Sequence, residues 1–248
     1  MTTSVSHLTS HISPKDRLIF ALDVPEIADA RALVEQLGDS VSFYKIGMEL
    51  LMTGGYFELL DWLKQRDKKV FVDLKLFDVP ATVGRAIARL AQYGADFATV
   101  HGNQGIMEAA AAAKSGDLKV LAVTALTSLD QADINDLGFA CNIEDLVLSR
   151  ARRSLEAGCD GVVSSGLEVT RLRAECGNKL VAVTPGIRPV LNDTVNSDHG
   201  DQKRVMTPSE ALRAGADYLV IGRPIRDADN PRAAAEAIQA EVQAALNE

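Results

Sequence analysis

The segment DLKLFDVPAT (73–82) sets Asp73, Lys75 and Asp78 close together as carboxylate, ammonium and carboxylate. Two more groups of this kind lie upstream, Asp23 at the end of ALD (21–23) and Lys45 in YKIG (44–47). Held out of water, such groups are costly unless they pair. Paired, they satisfy one another and present a fixed local field. Near the other end of the chain, TPGIRP (184–189) and VIGRP (220–224) supply Arg188, Gly222 and Arg223. A glycine lets backbone amides approach an anion closely, and arginine adds a fork of charged donors. That chemistry suits a phosphate. Between these motifs GDQKR (200–204) carries Gln202, Lys203 and Arg204, placed to fold over a bound phosphate as a lid. Taken singly, an Asp at a strand end is more often a helix cap and a Lys a solvated side chain, while a Gly-Arg pair is as readily an ordinary turn as an anion site. Five charged groups on three successive strands weigh against that plain reading.

The elements that must position these groups are legible as a repeat. Apolar runs rich in β-branched residues fall at 18–24, 41–47, 69–75, 96–102, 119–126, 160–166, 179–187 and 217–224. Segments with helical spacing lie between them, at 81–93, 106–114, 143–157 and 208–214, and a last helix spans 231–246. Near-continuous apolar strands are buried on both faces, as in a parallel sheet. YGAD (93–96), AGCD (157–160) and AGAD (214–217) each place a glycine before a strand, where a helix ends in a left-handed residue. Eight strands and eight helices predict a closed (β/α)8 TIM barrel of a single domain, residues 17–248, behind an N-terminal tail of residues 1–16. The rival, a doubly wound sheet, lacks its GxGxxG fingerprint after the first strand. In a barrel all the groups above fall at the C-terminal ends of strands, where such enzymes keep their active sites. The long connections 127–142 and 188–206 emerge there too. Period-two alternation puts Phe71, Asp73 and Lys75 on one face of the third strand, with Val72 and Leu74 toward the helices.

Composition narrows the function. The chain has 248 residues, 47% hydrophobic and 24% charged, as in an ordinary globular protein. Its 26 Lys and Arg against 34 Asp and Glu leave a net charge of -8, which offers nucleic acid no basic footprint. Aromatics at 5% leave no stacking platform for single strands. Cys141, Cys159 and Cys176 form no CxxC pair and read as buried small hydrophobes in a reducing compartment. With no signal-peptide pattern and no apolar run of membrane-spanning length, a cytoplasmic location without membrane partners is expected. His7 and His11 stand four apart but lack the Glu of a zinc motif, so no metal site is expected there. His101 reads as a hydrogen-bonded structural histidine, His199 as a solvated one, and the Ala run at 109–113 as helix propensity.

In that order, from about residue 17 to 224, ALD, YKIG, DLKLFDVPAT, TALTS (124–128), TPGIRP, GDQKR and VIGRP resemble the bacterial orotidine 5′-phosphate decarboxylase family. The resemblance implies conversion of orotidine 5′-phosphate to uridine 5′-phosphate in pyrimidine biosynthesis, without metal or cofactor. It gives Asp23 the ribose hydroxyls, Lys45 the ribose and the ordering of the charged array, Asp73 the substrate carboxylate, and Lys75 the proton for C6. It draws Asp78 and Thr82 from the neighbouring subunit of a homodimer. Thr127 contacts the pyrimidine edge and Gln202 bridges base and phosphate. Arg188, Gly222 and Arg223 meet the phosphate or its surroundings. Every matched position keeps the family's pattern. Related sugar-phosphate decarboxylases and aldolases share DxKxxD but carry a metal-binding carboxylate where this chain has Lys45. A magnesium enzyme of that kind and a noncatalytic phosphate sensor are the competing readings.

The implied reaction accounts for the residue types. Loss of CO2 leaves an electron pair in an in-plane orbital that the pyrimidine π system cannot delocalise. A preorganised ammonium stabilises that charge and then delivers a proton. Asp73 either repels the substrate carboxylate or orients Lys75 and keeps it charged; both readings stay open.

Overall fold

In the computed structural model, residues 12–189 and 205–247 are described. Eight parallel strands close on themselves in chain order, with the eighth pairing the first: β1 Leu18–Ala21, β2 Phe43–Gly47, β3 Lys69–Leu76, β4 Phe97–His101, β5 Lys119–Val123, β6 Gly161–Val163, β7 Val181–Thr184 and β8 Tyr218–Ile221. The outer layer is formed by α1 Ile27–Leu37, α3 Tyr56–Lys64, α4 Pro80–Gln92, α5 Gln104–Ala113, α7 Ile143–Glu156, α8 Gly166–Cys176, α9 Pro208–Arg213 and α11 Pro231–Leu246. The outer layer has the eight helices expected, and the described residues add more at the strand ends. Three short ones, α2 Met48–Met52, α6 Gln131–Asp136 and α10 Arg223–Arg226, follow β2, β5 and β8 at the mouth. α6 orders part of the connection 127–142 with a capping box between Asp130 and Asp133.

Alternation along the strands divides the core in two. Ile19, Ala21, Phe43, Phe71, Phe97, Leu121, Val181, Val183, Tyr218 and Val220 fill the barrel, while Leu18, Phe20, Val70 and Val72 pack outward with the helices. Phe43, Phe97 and Tyr218 meet edge-to-face at 5.0–5.9 Å, a favoured aromatic geometry that makes a packed aromatic floor. A side chain at Gly161 would collide with the Val181 carbonyl and lie 2.8 Å from Leu121 Cδ2, so this wall of the barrel requires glycine. Residues 12–16, placed in the tail by sequence pattern, are tied to the barrel. Ile12 packs on the interior cluster, and Asp16 accepts from Ser42 Oγ (2.7 Å) and Lys69 Nζ (2.9 Å).

The recurring glycine-to-strand motif has a physical basis. Gly94, Gly158 and Gly215 adopt φ of 73°, 84° and 104°, values that L side chains rarely tolerate. The aspartate two residues on then clamps the preceding strand. Asp96 Oδ2 accepts from Val70 N (2.8 Å) and Lys64 Nζ (2.7 Å). Asp160 accepts from Val120 N (2.8 Å) and Lys114 Nζ (2.7 Å), and Asp217 from Ala182 N (2.8 Å) and Arg173 Nη2. Cys159, at the Gly158 turn, and Cys176, at the end of α8, are buried, and burial foremost, with Asp160 adding to it, pushes the Cys159 thiol up to about 12. Cys141 is only half-buried, contrary to expectation, because its loop is held to α6 through polar contacts such as Gln131 Nε2 to its carbonyl (3.3 Å).

Candidate active site

Above the aromatic floor the inward positions change from apolar to charged. Asp23 follows β1, Lys45 lies on β2, and Asp73 and Lys75 lie on β3. Lys45 Nζ sits 2.8 Å from Asp23 Oδ1 and 3.7 Å from Asp73 Oδ2; Lys75 Nζ sits 2.9 Å from the same Asp73 Oδ2. Thr99 on β4 donates to Asp73 Oδ1 at 2.9 Å. Burial opposes the charge on Asp73, but Lys45, Lys75 and the Thr99 hydroxyl outweigh it and hold the carboxyl below its usual range. Burial likewise opposes charge on Lys45, and Asp73 and then Asp23 outweigh it, so this ammonium is held above its usual range. The two central groups are therefore a stable ion pair.

The array is less uniformly buried than the sequence suggests. Lys45 and Asp73 side chains are each 12% exposed, Lys75 is 39% and Asp23 48% exposed. Asp78 is exposed. Its carboxylate accepts from the Val79 N–H (2.6 Å) just before Pro80 starts α4. Thr82, on α4, accepts from Arg85 Nη2 (3.2 Å). Neither lines the cavity of its own chain, because both lie beyond the end of β3.

Asp73 and Lys75 do meet, but simple alternation is not the cause. β3 and β4 lose register between Val72 and Leu76, and Lys75 has φ of 49°. Among the described residues only Asp67 and Lys75 combine a side chain with positive φ. Such a conformation costs about 1–3 kcal/mol, and strain of this kind gathers at functional sites.

A cavity of about 480 Å3 opens at the barrel mouth, within the range of small-molecule sites. Asp23, Lys45, Asp73 and Lys75 line one side. Gly186, Arg188, Gly222 and Arg223 line the side formed by β7 and β8, and Thr127, 8% exposed, faces it from the connection after β5. Phe71, Val123, Val163 and Val220 supply the apolar base. Charged array and cationic rim thus face one space, bringing together eight of the residues singled out in the sequence. Gln202, Lys203, Arg204 and His199 lie outside the described residues, as do His7 and His11. His101 does not line the cavity; its Nδ1 lies 2.8 Å from Asn103 Oδ1 and its ring packs on Phe77 at 4.5 Å. Among the described residues no three His, Cys, Asp or Glu side chains form a group able to hold a metal ion.

Three contributors escaped the sequence reading. Thr99 bridges the array, and its signal was a polar residue facing inward on a buried strand. Arg226 lines the cavity and donates to the Asp23 carbonyl (2.6 Å) while pairing with Asp227, so it fixes the turn that carries Asp23. Arg150 on α7 donates to the Thr124 carbonyl (2.6 Å) and so sets the strand end leading to Thr127. Neither arginine belongs to a spacing pattern that marks it in advance.

A closed barrel whose strand ends converge on one charged cavity defines the class: a (β/α)8-barrel enzyme. The model of the orotidine 5′-phosphate decarboxylase / HUMPS family matches residues 16–238, and the chain is an enzyme of that family. An orotidine 5′-phosphate decarboxylase of Methylococcus capsulatus is 63% identical over 227 residues, 92% of either chain. One from Nitrobacter winogradskyi is 53% identical over 233 residues, 94% of this chain and 95% of its own. The crystal structure of orotidine 5′-phosphate decarboxylase from Lactobacillus acidophilus superposes with a TM-score of 0.79 at 34% identity, covering 92% of this chain and 99% of that one. Among the described residues no helix is long and apolar enough to cross a membrane.

Proposed function

We propose that the cavity binds orotidine 5′-phosphate and converts it to uridine 5′-phosphate without metal or cofactor, as a step in cytoplasmic pyrimidine synthesis. The C6–carboxylate bond breaks, CO2 leaves, and the electron pair stays on C6. Lys75 Nζ then gives C6 a proton and regains one from solvent. The observation that carries this reading is the Lys75 ammonium, pinned 2.9 Å from Asp73 at the cavity wall. A charge already oriented toward the site of the developing anion needs little reorganisation. The two ammonium groups beside Asp73 also make this donor set a poor host for a divalent cation, which seeks a cluster of oxygen ligands.

Asp23 and Lys45 are assigned the ribose and Thr127 the pyrimidine edge. Arg188, Gly222 and Arg223 are assigned the phosphate, with Gln202 reaching base and phosphate from the connection above. Binding energy from a phosphate remote from C6 can then be used to position the ring. Asp73 acts on the substrate carboxylate or through Lys75. Asp78 and Thr82 are assigned to the neighbouring site of a homodimer. In support, Asp78 lies off its own array and is flanked in the chain by the exposed apolar side chains of Phe77 and Val79. Exposed apolar side chains so grouped mark contact surfaces.

Mixing purified enzyme with orotidine 5′-phosphate in excess chelator should bleach the orotidylate absorbance. Lys75→Ala should lower kcat about a thousand-fold or more while nucleotide still binds. Substantial turnover by Lys75→Ala would falsify the proton-donor role, and loss of wild-type activity in chelator would return the magnesium reading.

A further inference from the structure

We infer that Thr99 is a positioning residue for the reaction, its one hydroxyl holding the Asp73 carboxylate and the Lys75 backbone in a single arrangement. The inference rests on the reading of Lys75 given above. β3 and β4 pair Phe71 with Phe97 and Val72 with Ala98, then resume at Leu76 with Val100. Asp73, Leu74 and Lys75 therefore stand opposite Thr99 alone. A bulge of this kind bends its strand and re-aims a side chain. Here it turns Lys75 into the left-handed region at φ of 49° and returns its ammonium to Asp73.

A hydroxyl has one hydrogen to give and lone pairs to accept with, and Thr99 uses both. Oγ1 donates to Asp73 Oδ1 and accepts from the Lys75 N–H, each at 2.9 Å, and the residue is wholly buried. Asp73 Oδ2 is thereby left to Lys75 Nζ at 2.9 Å and Lys45 Nζ at 3.7 Å. Without the hydroxyl, Oδ1 loses its donor and the carboxylate is free to rotate. The Lys75 N–H is also left unpaired inside the sheet, which is costly. Burial works against the charge on Asp73, and the Thr99 hydrogen bond is one of the contacts that outweigh it, after Lys45 and Lys75. Removing it should raise the pH at which Asp73 takes up a proton.

Valine keeps the shape of Thr99 and removes both hydrogen bonds; serine keeps both bonds and removes a methyl. In full-length enzyme with orotidine 5′-phosphate, Thr99→Val should lower kcat about ten-fold or more with KM within about three-fold. The acid limb of its kcat/KM profile should move to higher pH, and Thr99→Ser should restore both. Wild-type kcat and pH profile in Thr99→Val overturn the inference, as does a serine variant as slow as the valine one. Thr99→Ala and Thr99→Ser differ by the hydroxyl alone, so equal kcat in that pair overturns it even where the valine variant does not fold. Turnover retained by Lys75→Ala sinks the reading beneath; an inactive Lys75→Ala beside a normal Thr99→Val sinks this inference only.

Discussion

At the scale of residues, Lys45 and Asp73 owe their charges to each other. Burial alone would move both toward neutrality, and the opposite charge beside each reverses that. The sign of the pH dependence follows. Asp73 is held below its ordinary value of 3.8, so its contribution to stability is present above that value and lost as pH falls through the depressed one. Lys45 is held above 10.5, so its contribution is present below that value and lost as pH rises through the raised one. Asp73→Asn should therefore destabilise the fold at neutral pH by about 1.5–3 kcal/mol, the scale of hydrogen bonds to charged groups. Thermal unfolding of variant and wild type across the acid range should show this difference shrinking once pH drops below the ordinary carboxylate value. A gap that stays constant with pH would show that the ion pair does not contribute as described.

Elements are held in register by the three aspartates ahead of β4, β6 and β8. Each donates its own N–H to the residue whose N–H its carboxylate accepts: Asp96 with Val70, Asp160 with Val120, Asp217 with Ala182. A cation at the C-terminal end of the helix before each clamped strand completes the clamp: Lys64 of α3, Lys114 just after α5 and Arg173 of α8. These sit at the barrel end opposite the cavity, where side chains serve stability. Lys114 and Asp160 are partly solvated, so the ion pair itself adds little; the cost of losing Asp160 lies in the buried Val120 N–H left without an acceptor. We expect Asp160→Ala to lower stability by about 1–3 kcal/mol in urea unfolding with kcat unchanged. An unaltered unfolding midpoint would mean that the clamp is ornamental. Asp217 is more deeply buried, and its loss should cost more than that of Asp160.

For the whole molecule the proposed reading makes a claim about assembly. If Asp78 completes the site of a second copy, neither Lys75→Ala nor Asp78→Ala works alone, yet a mixed dimer carries one site with both residues intact. Random exchange should then recover about a quarter of wild-type activity, since half the dimers are mixed and half their sites are whole. A mixture no more active than its parents would remove the shared site, and sedimentation at assay concentration gives the oligomeric state independently.

The barrel itself was legible in the chain because buried parallel strands must be apolar on both faces and each helix needs a stop before the next strand. Gly94, Gly158 and Gly215 advertise that repeat by residue type alone. The lining of the candidate site was legible where charged types stand at the ends of apolar strands, as with Lys45, Asp73, Lys75 and Arg223. Thr99, Arg150 and Arg226 were not, since their roles depend on partners distant in the chain. Alternation along β3 foresaw that Asp73 and Lys75 would meet; only tertiary pairing shows that a bulge against β4 brings it about. Side-chain direction along a strand follows from local backbone geometry, whereas register between strands is set by what each finds opposite it, and no single stretch of sequence contains both sides of that contact.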